Sequence, residues 1–207
     1  MKLAQSLNRL GTETAFSVLA EAKKLEASGK PMIHLGLGQP DFKTPKHVVD
    51  AAKKALDDGH HGYVLSNGIL ECRQAVSRKI KTLYNQDVDP ERIIIMPGGK
   101  PTMHYAIQCF GEPGVEIIHP TPAFPIYESM INYTGSTPVP YDLTKDKDLK
   151  FNAEEILSLI TEKTRLLILI NPNNPTGSFV EKSEIDKLAK GLDQHPHVTI
   201  LSDEIYS

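Results

Sequence analysis

The chain has 207 residues, 40% of them hydrophobic and 24% charged, with a formal net charge of -3. That balance is typical of a globular protein and excludes a chain too polar to bury a core. The slight acidity, without clustered lysine and arginine, excludes nucleic acid or an anionic membrane as expected partners and leaves small molecules.

The start, MKLAQSLNRLGTETAF, contains Glu13 and lacks the apolar core of a signal peptide, and nowhere is an apolar run long enough to span a bilayer. A cytoplasmic location is therefore expected. Residues 14–28 place Phe16, Leu19, Ala20 and Leu25 at roughly helical spacing and stop at Gly29, which predicts an amphipathic helix. A short strand, MIHL, follows Pro31 and leads into the loop Gly36-Leu37-Gly38-Gln39-Pro40-Asp41-Phe42. Thr44 is the predicted N-cap and Pro45 the first residue of a helix that ends at Gly59. A third helix, 69–84, follows the turn Ser66-Asn67-Gly68.

From there strands and helices alternate. RIIIM (92–96), VEIIH (115–119), TPVPY (137–141), LLILI (166–170) and VTILS (198–202) read as strands, the last two as buried ones. Helices are predicted at 101–110, 122–133, after Asn152 with Glu155 as a capping box, and at 181–192. This order implies an α/β fold with a mostly parallel sheet sandwiched by helices, whose ligands sit outside the carboxyl ends of the strands. Cys72 and Cys109 show no CxxC or Cys/His spacing, so neither a disulfide framework nor a structural metal site is indicated.

The segments after the strands carry the chemistry. Pro97-Gly98-Gly99-Lys100-Pro101-Thr102 feeds a helix whose unpaired amides suit a phosphate; taken alone, the turn is better explained by glycines placed for backbone reasons. Asn171-Pro172-Asn173-Asn174-Pro175-Thr176-Gly177 follows one apolar strand and Ser202-Asp203-Glu204-Ile205-Tyr206 ends another. An aspartate at the end of a buried strand is costly unless a cation meets it, and a protonated pyridine nitrogen is such a cation. A ring kept protonated is an electron sink for a carbanion at a substrate's α-carbon. The amide of Asn174 and the phenol of Tyr206 suit the oxygen of such a ring.

With GLGQPDF and GGK ahead of NPNNPTG and SDEIY, in that order and spacing, the chain resembles the amino-terminal half of a class I, fold type I, pyridoxal-phosphate-dependent aminotransferase of the aspartate aminotransferase kind. The resemblance runs from about Met32 to Ser207. It implies pyridoxal 5'-phosphate as cofactor, an amino acid and a 2-oxo acid as substrates, and a homodimer. By resemblance, Asp203 pairs with the pyridine nitrogen, Asn174 and Tyr206 hold the ring oxygen, and Phe124 stacks on the ring. Gly99, Lys100 and Thr102 fall at the phosphate, Gly38 at the substrate carboxylate, and Tyr63 at the phosphate of the neighbouring subunit. The implied domains are an N-terminal arm with part of a small domain in 1–45, and the N-terminal portion of a large cofactor-binding domain in 46–207.

The family's lysine, in a Ser-x-Ser-Lys-like segment, and the arginine for the substrate carboxylate are not among these residues. The chain is therefore expected to be cut off before them and to be inactive alone. A nucleotide-dependent oxidoreductase is disfavoured, since Asp41 stands where the third glycine of a dinucleotide loop belongs. A C-S β-lyase using the same cofactor, and a non-catalytic fragment that binds a partner subunit, remain as alternatives.

Overall fold

Four stretches of the second half of the chain pair side by side in parallel: β1 (Glu116–Thr121), β2 (Thr137–Asp142), β3 (Thr164–Ile170) and β4 (Thr199–Asp203), in the order β2-β1-β3-β4. Parallel strands need both faces covered, and successive side chains point to opposite faces. On one face Ile117, Leu166 and Ile168 pack with Ile107 of α4 (Gly99–Phe110) and with Tyr127, Met130 and Ile131 of α5 (Ile126–Thr134). On the other, Ile118 and Leu167 pack with Ile156 of α6 (Ala153–Ser158) and Leu188 of α7 (Lys182–Leu192). Ile117, Ile118, Leu167 and Ile168 have no exposed surface; each such burial contributes about 2 kcal/mol. The predicted mostly parallel sheet with helices on both faces is what this computed structural model contains.

The structure describes residues 2–11 and 14–207. They fall into two units, Met1–Glu13 with Gly98–Ser207, which holds the sheet, and Thr14–Pro97. The second unit contains α1 (Thr14–Ala27), α2 (Lys46–Asp57), α3 (Leu70–Tyr84) and a 3-10 turn at Pro90–Arg92. Its buried charge is Arg73, which is 1% exposed and donates to the carbonyls of Gly68 and Pro90 and to Glu91 Oε1 at 2.7 Å. Gly68 has φ +97, and a Cβ there would lie 2.7 Å from the Ile95 side chain, so only glycine fits this turn.

Several local expectations are corrected. MIHL and residues 93–96 are not strands: no ladder partner pairs with them among the described residues, and Ile33, Leu35 and Ile94 are exposed. An apolar run becomes a strand only where a neighbour completes its hydrogen bonds. Pro45, not Thr44, is the N-cap of α2, and no side chain caps it. Asn152 does cap α6 by accepting from the Glu155 amide, but the Glu155 carboxylate is drawn to Lys145, so only half of the capping box forms. β4 is an edge strand instead of a buried one, with Ile200 46% exposed.

Candidate active site

The carboxyl ends of β1, β3 and β4 open toward the amino end of α4, and a cavity of about 550 Å³ lies there. Its lining includes Gly99, Lys100 and Thr102 of α4, Phe124 after β1, Asn174 after β3, and Asp203 and Tyr206 at the end of β4. Thus the first unit brings together seven side chains or backbone positions read from the sequence. Gly38 and Tyr63 lie in the second unit, the former in an exposed loop and the latter fully exposed. Met103, Leu201 and Ile205 supply apolar wall.

Each wall has a local cause. Gly98, at φ +106, turns the chain into α4, and no side chain caps that helix. The amides of its first turn, Pro101 having no N–H, therefore lack an intrahelical acceptor, and Gly99, Lys100 and Thr102 of that turn line the cavity. The Thr102 hydroxyl donates back to the Gly98 carbonyl at 3.2 Å, and the Lys100 ammonium lies 5.6 Å from the centre of the Phe124 ring. Across the cavity the Asn174 amide donates to the Tyr206 hydroxyl at 3.3 Å.

Asp203 is held from two sides. Its Oδ1 accepts from the Ile205 amide at 3.1 Å and its Oδ2 from the Tyr127 hydroxyl at 2.5 Å. The sequence argument placed Asp203 on a buried strand in need of a cation; the structure half-buries it on an edge strand and gives it a tyrosine hydroxyl. Tyr127 was not singled out from the sequence, where IYESMINY reads as ordinary helix packing. Its signal was a tyrosine on the apolar face of a helix, three residues after Phe124: a buried phenol needs a hydrogen-bond partner.

Burial, then the hydrogen bond and charge of Asp203, push the Tyr127 hydroxyl well above its ordinary value of 10.0. Burial does the same to Tyr141, which donates to the Ile168 carbonyl. Both groups hold their proton more tightly folded than unfolded, so their stabilisation is complete below about pH 10 and declines above it. Each is expected to steepen the alkaline loss of stability by about 1.4 kcal/mol per pH unit. Denaturant midpoints between about pH 8 and pH 11 check this, and a level profile contradicts it.

A second cavity, about 540 Å³, lies between residues 9–11 and α5. In it Arg9 donates to the Asn132 and Tyr133 carbonyls, and the Gly11 amide to the Ser129 hydroxyl. No group of His, Cys, Asp and Glu among the described residues is arranged to hold a metal ion. No helix among them is long and apolar enough to cross a membrane.

Comparison with known proteins gives the family. Residues 30–207 match the family described as aminotransferase class I and II. The chain is 34% identical over 206 residues to an aspartate aminotransferase of Bacillus subtilis (strain 168), covering 100% of this chain and 52% of that one. It is 32% identical to a bifunctional aspartate aminotransferase and glutamate/aspartate-prephenate aminotransferase of Petunia hybrida, covering 43% of it. The structure superposes on an aspartate aminotransferase from Thermus thermophilus with maleate at a TM-score of 0.92 and 30% identity, covering 98% of this chain and 53% of that one. The chain spans about half the length of the curated relatives it matches.

Proposed function

The chain belongs to the class I and II aminotransferases, a family dependent on pyridoxal phosphate, and on that premise we propose that its cavity holds this cofactor for transfer of an amino group between an amino acid and a 2-oxo acid. The donor set fits each part of the molecule. Asp203 offers a carboxylate to the ring nitrogen, and the two donors already on it fix its orientation. Asn174 and Tyr206, bonded to each other, can turn their donors to the ring oxygen. Phe124 offers a flat apolar face, and the uncapped start of α4, with Lys100, a site for the phosphate. When bound, the cofactor supplies an electron sink for the substrate's α-carbon.

The observation that carries this reading is the single cavity that joins a carboxylate, an aromatic wall and a bare helix amino end. From the family resemblance we assign Gly38 to the substrate carboxylate and Tyr63 to the phosphate of the neighbouring subunit in a cytoplasmic homodimer. Residues 1–45 then form an arm with part of a small domain, and 46–207 part of the large domain. The 207 residues contain no Ser-x-Ser-Lys-like segment, so this chain alone binds the cofactor without sustaining turnover.

Pyridoxamine 5'-phosphate, which has no aldehyde to react with stray lysines, is the probe. Calorimetry is expected to show one saturable site, with pyridoxamine binding at least about tenfold more weakly for want of a phosphate at α4. Equal affinity for the two would remove the phosphate site. Steady formation of a keto acid from pyridoxal phosphate and amino acids, abolished by replacing a lysine of this chain, would overturn the inactivity.

A further inference from the structure

The turn after β3 contains a second asparagine, beside Asn174, that points the other way. Asn173 is 5% exposed, and its Oδ1 has no hydrogen-bond partner among the described residues. A buried acceptor left unpaired carries a desolvation cost, which a smaller or apolar side chain would avoid. What the amide does in return is donate twice. Its Nδ2 reaches Thr176 Oγ1 at 2.8 Å within its own turn and the Pro122 carbonyl at 3.3 Å in the turn after β1.

These two bonds sit in a longer chain. Thr176 Oγ1 lies 2.7 Å from Ser178 Oγ, which donates to the Leu149 carbonyl at 2.8 Å. The main chain of Asn173 closes its own turn, accepting from the Gly177 amide and donating to Ser178. Asn173 is thereby fixed in place, and its bond to Pro122 joins two turns: one carries Phe124 and the other Asn174, on two walls of the cavity. Among the described residues it is the one side-chain hydrogen bond between 121–125 and 171–178.

We propose that Asn173 is a positioning residue, whose buried amide sets the separation of the Phe124 and Asn174 walls. This rests on the reading of the cavity as the pyridoxal-phosphate site, where those walls meet the face and the edge of one ring. Asn173 itself does not line the cavity and touches no part of the cofactor.

Asn173→Asp keeps the shape but faces Pro122 and Thr176 with an acceptor in place of a donor. Thr176→Val removes the bonds of Thr176 to Asn173 and Ser178, all within the turn, and leaves the bond from Asn173 to Pro122. In the ligand-free chain, hydrogen exchange at the Tyr127 and Ser129 amides, which close the turn after β1 through Phe124 and Pro125, is expected to quicken in N173D and not in T176V. Affinity for pyridoxamine 5'-phosphate is expected to fall about tenfold in N173D, with weaker induced circular dichroism of the bound ring, and to stay within about twofold in T176V. Exchange that quickens only at Gly177 and Ser178, with affinity and dichroism unchanged, confines Asn173 to its own turn and overturns the proposal. Should N173D not fold, N173A removes the same donors without adding charge and decides by the same readings. Absence of binding by the unmodified chain overturns the cavity reading and this proposal with it, whereas binding unaffected by both Asn173 variants overturns this proposal alone.

Discussion

Asp203→Ala is expected to weaken binding of pyridoxamine 5'-phosphate by about 100-fold or more, because a desolvated cationic partner stripped of its carboxylate loses on the order of 3 kcal/mol or more. Two effects add. The ring nitrogen loses its counter-charge, and the Tyr127 hydroxyl, within a side chain 1% exposed, loses its acceptor. Asp203→Asn separates them, since the amide oxygen still accepts from Tyr127 but brings no charge. If charge dominates, D203N binds nearly as poorly as D203A; if orientation dominates, it binds nearly as well as the parent. Calorimetric titration of the three proteins decides, and an affinity for D203A within about threefold of the parent removes the pairing on which the function rests.

Phe124, Asn174, Asp203 and Tyr206 were legible in the sequence because they follow or end apolar strands, where parallel sheets expose their ends, whereas Gly99, Lys100 and Thr102 follow a run that forms no strand. LLILI is a strand on both faces of which side chains are buried, and NPNNPTG follows it directly. RIIIM looks the same in sequence yet forms no strand, because pairing is a long-range property that a local apolar run does not contain. VTILS does pair, but on one side only, which leaves Ile200 exposed where burial was expected. The least legible residues were Tyr127, Asn173 and Arg73. Each is a polar group whose partners lie elsewhere in the chain: Asp203 is 76 positions from Tyr127, and Pro122 is 51 from Asn173. The sequence placed Tyr127 within a predicted helix, but only the fold shows that its hydroxyl ends on the Asp203 carboxylate.

That hydroxyl has a measurable effect on the fold as well as on the site. Tyr127→Phe removes one oxygen and leaves the ring among Ile107, Ile117 and Ile168. A hydrogen bond to a charged group contributes about 2 kcal/mol, so Y127F is expected to lose about that much stability at neutral pH, roughly a 30-fold shift in the folding equilibrium. D203A should cost a similar amount, since it leaves the phenol buried and unpaired. In the double variant the second change should cost little, because neither group then faces an absent partner; a coupling of about 2 kcal/mol in that cycle assigns the stabilisation to the pair. The alkaline profile offers an independent reading. Tyr127 and Tyr141 both hold their protons above the ordinary range, and Y127F removes one of the two. Above about pH 10 its stability should fall less steeply than the parent's, so that the two curves converge as the pH rises. Parallel curves would mean that the phenol titrates alike in folded and unfolded chains, and would leave the carboxylate at position 203 without the neighbour that orients it.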